Sequence, residues 1–192
     1  MWNPNPNLSI DTRGIDLCER YYNVIGRPML QARFAEYIPR MAIGVAGDGS
    51  DCFGFDDAIS TDHDWGPGFC VWLTDEDYAA IAQDLNSAYQ ALPEDFDGKT
   101  YNYHKAQAAG RRGAINMGNF FRSYLGKPEG PQTNVEWIQT PENYLAVATN
   151  GKVFEDNLGK FTAIRERLLG FYPEDVRKKK IAAKTILMAH TG

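Results

Sequence analysis

Two short motifs carry the chemistry this sequence offers. Asp62 and Asp64 are separated by one residue. On an extended strand that spacing returns both side chains to one face, with Cα atoms about 6–7 Å apart. Carboxylates so placed can converge on one divalent cation or bridge two, and their hard oxygens suit Mg²⁺ or Mn²⁺. Upstream, Gly47-Asp48-Gly49-Ser50 follows the apolar run Met41–Ala46. Glycines at a strand end let backbone N–H groups approach a phosphate, and a serine hydroxyl adds a donor. Gly47, Gly49 and Ser50 are therefore candidate anion-binding residues. Asp62 and Asp64 are candidate metal-binding and catalytic residues. Either motif alone is more often a turn or a set of caps; their order along one segment gives them joint weight.

Alternative chemistries fail on spacing. GxxxxGK[ST] is absent, so the turn is not a P-loop. A calcium loop starting at Asp62 needs Glu at its twelfth position, where Leu73 stands. No GxGxxG opens a βαβ unit. His63, Trp65 and the Asp56-Asp57 pair read as packing or loop residues. Arg111-Arg112 reads as a solvated hairpin, although arginine forks also match phosphate oxygens. Lys178-Lys179-Lys180 reads as an exposed helix face. Cys52 and Cys70 read as small buried hydrophobes.

Elements that could position these residues follow from periodicity. Leu17, Tyr21, Val24 and Ile25 share one helical face between about Asp11 and Phe34, with a break expected at Gly26-Arg27-Pro28. Met41–Ala46 and Asp64–Leu73 are strand candidates, and Arg112–Met117 is a third. Thr74 reads as the cap of a helix running to Leu92, with Asp75, Glu76 and Asp77 in its first turn. Residues 94–110 read as loop or irregular hairpin. A short helix or turn at Phe120–Leu125, a helix at Pro141–Ala148, an edge strand at Lys152–Phe154, a helix at Lys160–Leu169 and a last helix from Pro173 complete the chain. The expected class is α+β, a mixed sheet flanked by helices. Residues 1–10 read as a flexible arm, 11–156 as the core and 157–192 as the start of a helical C-terminal region.

Composition sets outer limits. The chain has 192 residues, 43% apolar and 23% charged, ordinary values for a folded domain. Twenty basic against 25 acidic residues leave a charge of −5, which disfavours a long nucleic acid as partner. No run is apolar enough to span a bilayer, and the N-terminus lacks a signal-peptide pattern. Three cysteines without metal spacing fit a reduced, cytoplasmic protein.

A strand, then Gly-Ser, then about ten residues, then Asp-x-Asp resembles the pattern of the DNA polymerase β-like nucleotidyltransferase superfamily. More closely, the chain resembles the DUF4037 family, a nucleotidyltransferase-like group. The phrases that carry this are GxGSxCxGxDDxxSxDHDWGPxFxxWL over residues 47–73, Trp137-Ile138 with Pro141-Glu142, Thr149 to Asp156, and Tyr172 to Val176. The resemblance implies a nucleotidyltransferase-like sheet with a truncated helical C-terminal part. It implies transfer of a nucleoside monophosphate from an NTP, with ATP favoured, to an unidentified acceptor hydroxyl on a small molecule. Asp62 and Asp64 would hold Mg²⁺ or Mn²⁺, while Gly49 and Ser50 would bind the β and γ phosphates. The superfamily's third carboxylate, on a later strand, is replaced in Gly113–Gly118 by Asn116, and relatives continue past the position of Gly192. These departures leave an alternative: a catalytically inactive or weak nucleotide-binding domain that keeps the fold. The end of the helical part is also a candidate homodimer surface.

Overall fold

The computed structural model describes residues 13–54, 66–100, 110–170 and 172–191. Its architecture is α+β, with helices on both faces of a mixed four-stranded sheet. The strands are β1 (Ala42–Val45), β2 (Cys70–Leu73), β5 (Gly113–Asn116) and β6 (Lys152–Asp156), in the order β5-β2-β1-β6. β1 runs antiparallel to β2 and β6, and β2 runs parallel to β5. β3 (Asp95–Phe96) and β4 (Lys99–Thr100) form a separate small hairpin. The helices are α1 (Gly14–Tyr21), α2 (Arg27–Arg33), α3 (Asp75–Gln90), α4 (Met117–Leu125), α5 (Asn134–Gln139), α6 (Glu142–Thr149), α7 (Lys160–Leu169) and α8 (Glu174–Thr191). Among the described residues, no helix is long and apolar enough to cross a membrane.

The two central strands explain the two cores. Every residue of β1 and β2 is buried, and the alternation of a pleated strand sends neighbours to opposite faces. Met41, Ile43, Phe69, Val71 and Leu73 meet Tyr21, Tyr22, Leu30, Leu85 and Tyr89 on one face. Ala42, Cys70 and Trp72 meet Phe121, Leu145, Ala148, Phe161 and Leu168 on the other. Trp72 stacks on Phe161 with centroids 4.0 Å apart, an offset aromatic contact at the centre of the second layer.

Local signals account for most boundaries. Thr74 caps α3 by accepting from the Asp77 N–H at 3.2 Å. Pro141 directly precedes α6. Three boundaries differ from the sequence expectation. Gly26-Arg27-Pro28 does not break the first helix. A π-helical turn, Tyr22–Gly26, carries the chain into α2, whose first turn accepts a proline without loss of a needed N–H. β2 starts at Cys70 rather than Asp64, although the Phe69 carbonyl still accepts from the Gly113 N–H at 3.1 Å. α5 was not expected, although Thr133 and Glu136 form its capping box. The arm at residues 1–10 lies outside the described residues.

Candidate functional site

Strand directions bring four chain segments to one end of the sheet. Gly44 of β1 faces Cys70 of β2 and Val153 of β6, and Cys70 faces Gly113 of β5. The Gly47 turn leaving β1, the chain entering β2, Arg111-Arg112 entering β5 and Asn150-Gly151 entering β6 therefore share this end. Asp62 and Asp64 lie outside the described residues, as do His63, Trp65, Asp56 and Asp57. The chain that follows them is described from Gly66 onward.

The turn is built from glycine geometry and long-range bonds. Gly47 has φ +122°, a conformation that a Cβ disfavours. The Asn150 side chain holds it from both sides. The Gly47 N–H donates to Asn150 Oδ1 at 3.0 Å, and Asn150 Nδ2 donates to the Gly47 carbonyl at 2.7 Å. One step on, the exposed Asp48 accepts from the Tyr124 hydroxyl of α4 at 3.1 Å. Burial, then the Asp48 carboxylate, raise the Tyr124 pKa, so the phenol remains a donor at neutral pH. Gly49 is buried and its carbonyl accepts from the Cys52 N–H at 3.0 Å. Ser50 opens a 3₁₀ turn, Ser50–Phe53.

Beneath that turn sits a buried ion pair. Asp51 is fully buried and Arg112 is 2% exposed. Arg112 donates to Asp51 Oδ2 at 2.6 Å, and the Cys52 N–H donates to Asp51 Oδ1 at 2.8 Å. The solvated hairpin expected at Arg112 is thus replaced by a core salt bridge, in which the Asp51 carboxylate adds the charged partner a buried guanidinium needs to the Arg111 carbonyl that Arg112 reaches at 2.9 Å. Cys18 of α1 completes the cluster. Its thiol lies 3.3 Å from the Gly66 carbonyl and 3.7 Å from Asp51 Oδ2. Burial, then the nearby Asp51, push the Cys18 pKa up to about 12. Burial also raises Cys52 and Cys70. All three cysteines are buried thiols, which fits the reading of Cys52 and Cys70 as small hydrophobes.

A second buried guanidinium backs the turn. Arg165 of α7 is 7% exposed. It donates to the Asn150 and Thr149 carbonyls at 2.8 and 2.9 Å, at the C-terminal end of α6. These partners are neutral, so the helix dipole only partly offsets the charge. Gly151 then donates to the Cys52 carbonyl at 2.9 Å. Gly151 has φ +69°, and a Cβ there would sit 2.0 Å from the Val45 carbonyl oxygen.

Asn116 is not part of this constellation. It faces Leu73, at the opposite end of β2. Its carbonyl oxygen caps α4 through the Asn119 N–H at 2.8 Å, and its amide donates to Asp75 Oδ1 at 2.8 Å. Its role is a cap, at the end of β2 away from the Gly47 turn. Among the described residues no group of three His, Cys, Asp or Glu side chains could hold a metal ion. The lysine run is mixed: Lys178 is exposed and pairs with Glu174, while Lys180 is 15% exposed and lies over the Tyr172 ring.

The comparison with known families follows the second half of this geometry. Residues 137–192 match the family model DUF4037, a domain of unknown function. The DUF4037 segment contains Asn150, Gly151 and Arg165, the residues that brace the turn from behind. Residues 47–73, which carry the most specific phrase in the sequence, lie outside the matched span. No curated protein and no solved structure matches the chain.

Proposed function

We propose that this chain is a metal-dependent nucleotidyltransferase-like domain that transfers a nucleoside monophosphate from an NTP, with ATP favoured, to the hydroxyl of a small acceptor. Gly49 and Ser50 would bind the triphosphate, and Gly47, whose N–H and carbonyl are both taken by Asn150, would shape the turn that presents them. Asp62 and Asp64 would hold Mg²⁺ or Mn²⁺, a group that neutralises phosphate charge and orients the phosphates. The protein's own part is positioning: a rigid turn that presents backbone N–H groups where phosphate charge gathers.

One observation carries this reading. The Cys18 thiol touches both Asp51, which follows Ser50, and the carbonyl of Gly66, which lies two residues after Asp64. Asp51, the neighbour of Ser50, and Gly66, two residues beyond Asp64 in sequence, are thereby held at one point at one sheet end. Buried positive charge supports an anionic ligand there, because the hydrogen bonds of Arg165 go to neutral carbonyls.

The test is pyrophosphate release from each NTP over a panel of acceptor alcohols. Mg²⁺-dependent release by the wild type, lost in Asp64→Asn, is the expected result. Release unchanged in Asp64→Asn would refute the assignment. Tight NTP binding with no release against any acceptor would favour the inactive alternative.

A further inference from the structure

We infer that Asn150 is a positioning residue for phosphate binding, and that Arg165 holds it in place. The inference rests on the nucleotide reading above and deepens it. The Gly47–Cys52 turn is bracketed by the dipeptide Asn150-Gly151, which lies 103 residues from Gly47 in sequence. Asn150 engages both backbone polar groups of Gly47, and Gly151 takes the Cys52 carbonyl. Only a side chain with adjacent donor and acceptor can make the Gly47 pair, which singles out an amide. An unsupported Gly-rich turn samples many conformations, and this bracket removes that freedom before any ligand arrives.

Arg165 fixes the bracket itself. Its forked guanidinium reaches two successive carbonyls, of Thr149 and Asn150, and so sets the direction of the Asn150 side chain. The cation-π contact with Phe161, at 5.7 Å, keeps the fork in the second core. Its charge also stays close behind the turn, where it favours an anion. Asn150 and Arg165 both belong to the DUF4037 segment, whereas the turn they hold does not.

The test compares Asn150→Ala with Val147→Ala, which truncates a buried apolar side chain on α6, the helix that ends one residue before Asn150. The probes are Mg²⁺-ATP and Mg²⁺-tripolyphosphate, with Kd from calorimetry and melting temperature from scanning calorimetry. Asn150→Ala should weaken both probes by the same factor, about tenfold or more, the equivalent of one to two net hydrogen bonds. Val147→Ala should lower the melting temperature and leave both Kd values unchanged. Arg165→Lys, which keeps the charge but loses the fork, should fall between wild type and Asn150→Ala. Amide exchange at Gly47 should accelerate in Asn150→Ala while Ile43 stays protected. Wild-type affinity in a folded Asn150→Ala overturns the positioning role, as do equal losses in Asn150→Ala and Val147→Ala. A wild type that binds neither probe instead overturns the nucleotide reading, and the phosphate role of Asn150 with it.

Discussion

Asp51→Asn isolates the charge of the buried pair beneath the turn. The substitution is nearly isosteric and keeps an oxygen for the Cys52 N–H, now 2.8 Å away. It removes only the anion opposite Arg112, which is 2% exposed and 2.6 Å from Asp51 Oδ2. A buried charge left without its counter-ion costs about 3–5 kcal/mol. In a chain of this size each kcal/mol lowers the melting temperature by about 2–4 °C, so the loss should be roughly 6–20 °C. Urea unfolding followed by tryptophan fluorescence measures the free energy, and calorimetry checks the temperature. Asp51→Leu with Arg112→Met, which replaces both charges by apolar groups, should recover most of the loss. A single Asp51→Asn loss under about 1 kcal/mol, the range of exposed pairs, would refute the claim that this ion pair holds the turn.

Three further outcomes follow from the same geometry. Gly151→Ala should be among the most damaging single-methyl changes, since φ +69° and a 2.0 Å approach to Val45 leave no room; the backbone strain alone costs about 1–3 kcal/mol, measurable by urea unfolding. None of the three buried cysteines should react with a disulfide reagent at pH 8 in native protein, and all three should react in urea. The hydrogen bond from Arg40, opposed by partial burial, holds the Asp77 carboxyl below its ordinary 3.8. Its contribution is then complete above that pH and disappears as the pH falls through the lowered native value. Asp77→Asn should flatten the acid side of the stability profile, and an unchanged slope below pH 4 would contradict the pairing.

The sheet and most helices were legible because their signals are local. Thr74 with three acids marks a helix start, and the apolar runs at 42–45 and 70–73 are strands buried on both faces. The limits of β2 were less legible, because Gly66-Pro67-Gly68 ends the ladder while the apolar alternation runs on to Phe69. Arg112 looked solvated because its partner, Asp51, is 61 residues away. Asn116 stands by strand position where the resemblance calls for a third carboxylate, but the parallel register puts it at the far end of β2. The clamp by Asn150 had no sequence signal beyond its place in the Thr149–Asp156 phrase, since hydrogen bonds across 103 residues exist only once the sheet has formed. The capping box at Thr133 and Glu136 is visible in the sequence, but the helix it opens, α5, has six residues, too few to show an apolar repeat.

The central claim is that one sheet end binds a metal-bound nucleoside triphosphate through the Gly47 turn and the Asp62-Asp64 pair. Its most direct test is calorimetric titration of ATP with Mg²⁺ into wild type and into the Asp62→Asn, Asp64→Asn double variant. Binding by wild type that requires Mg²⁺ and is lost in a folded double variant is the predicted result. A folded wild type that binds no Mg²⁺-ATP, or a double variant that binds it equally well, would contradict the account.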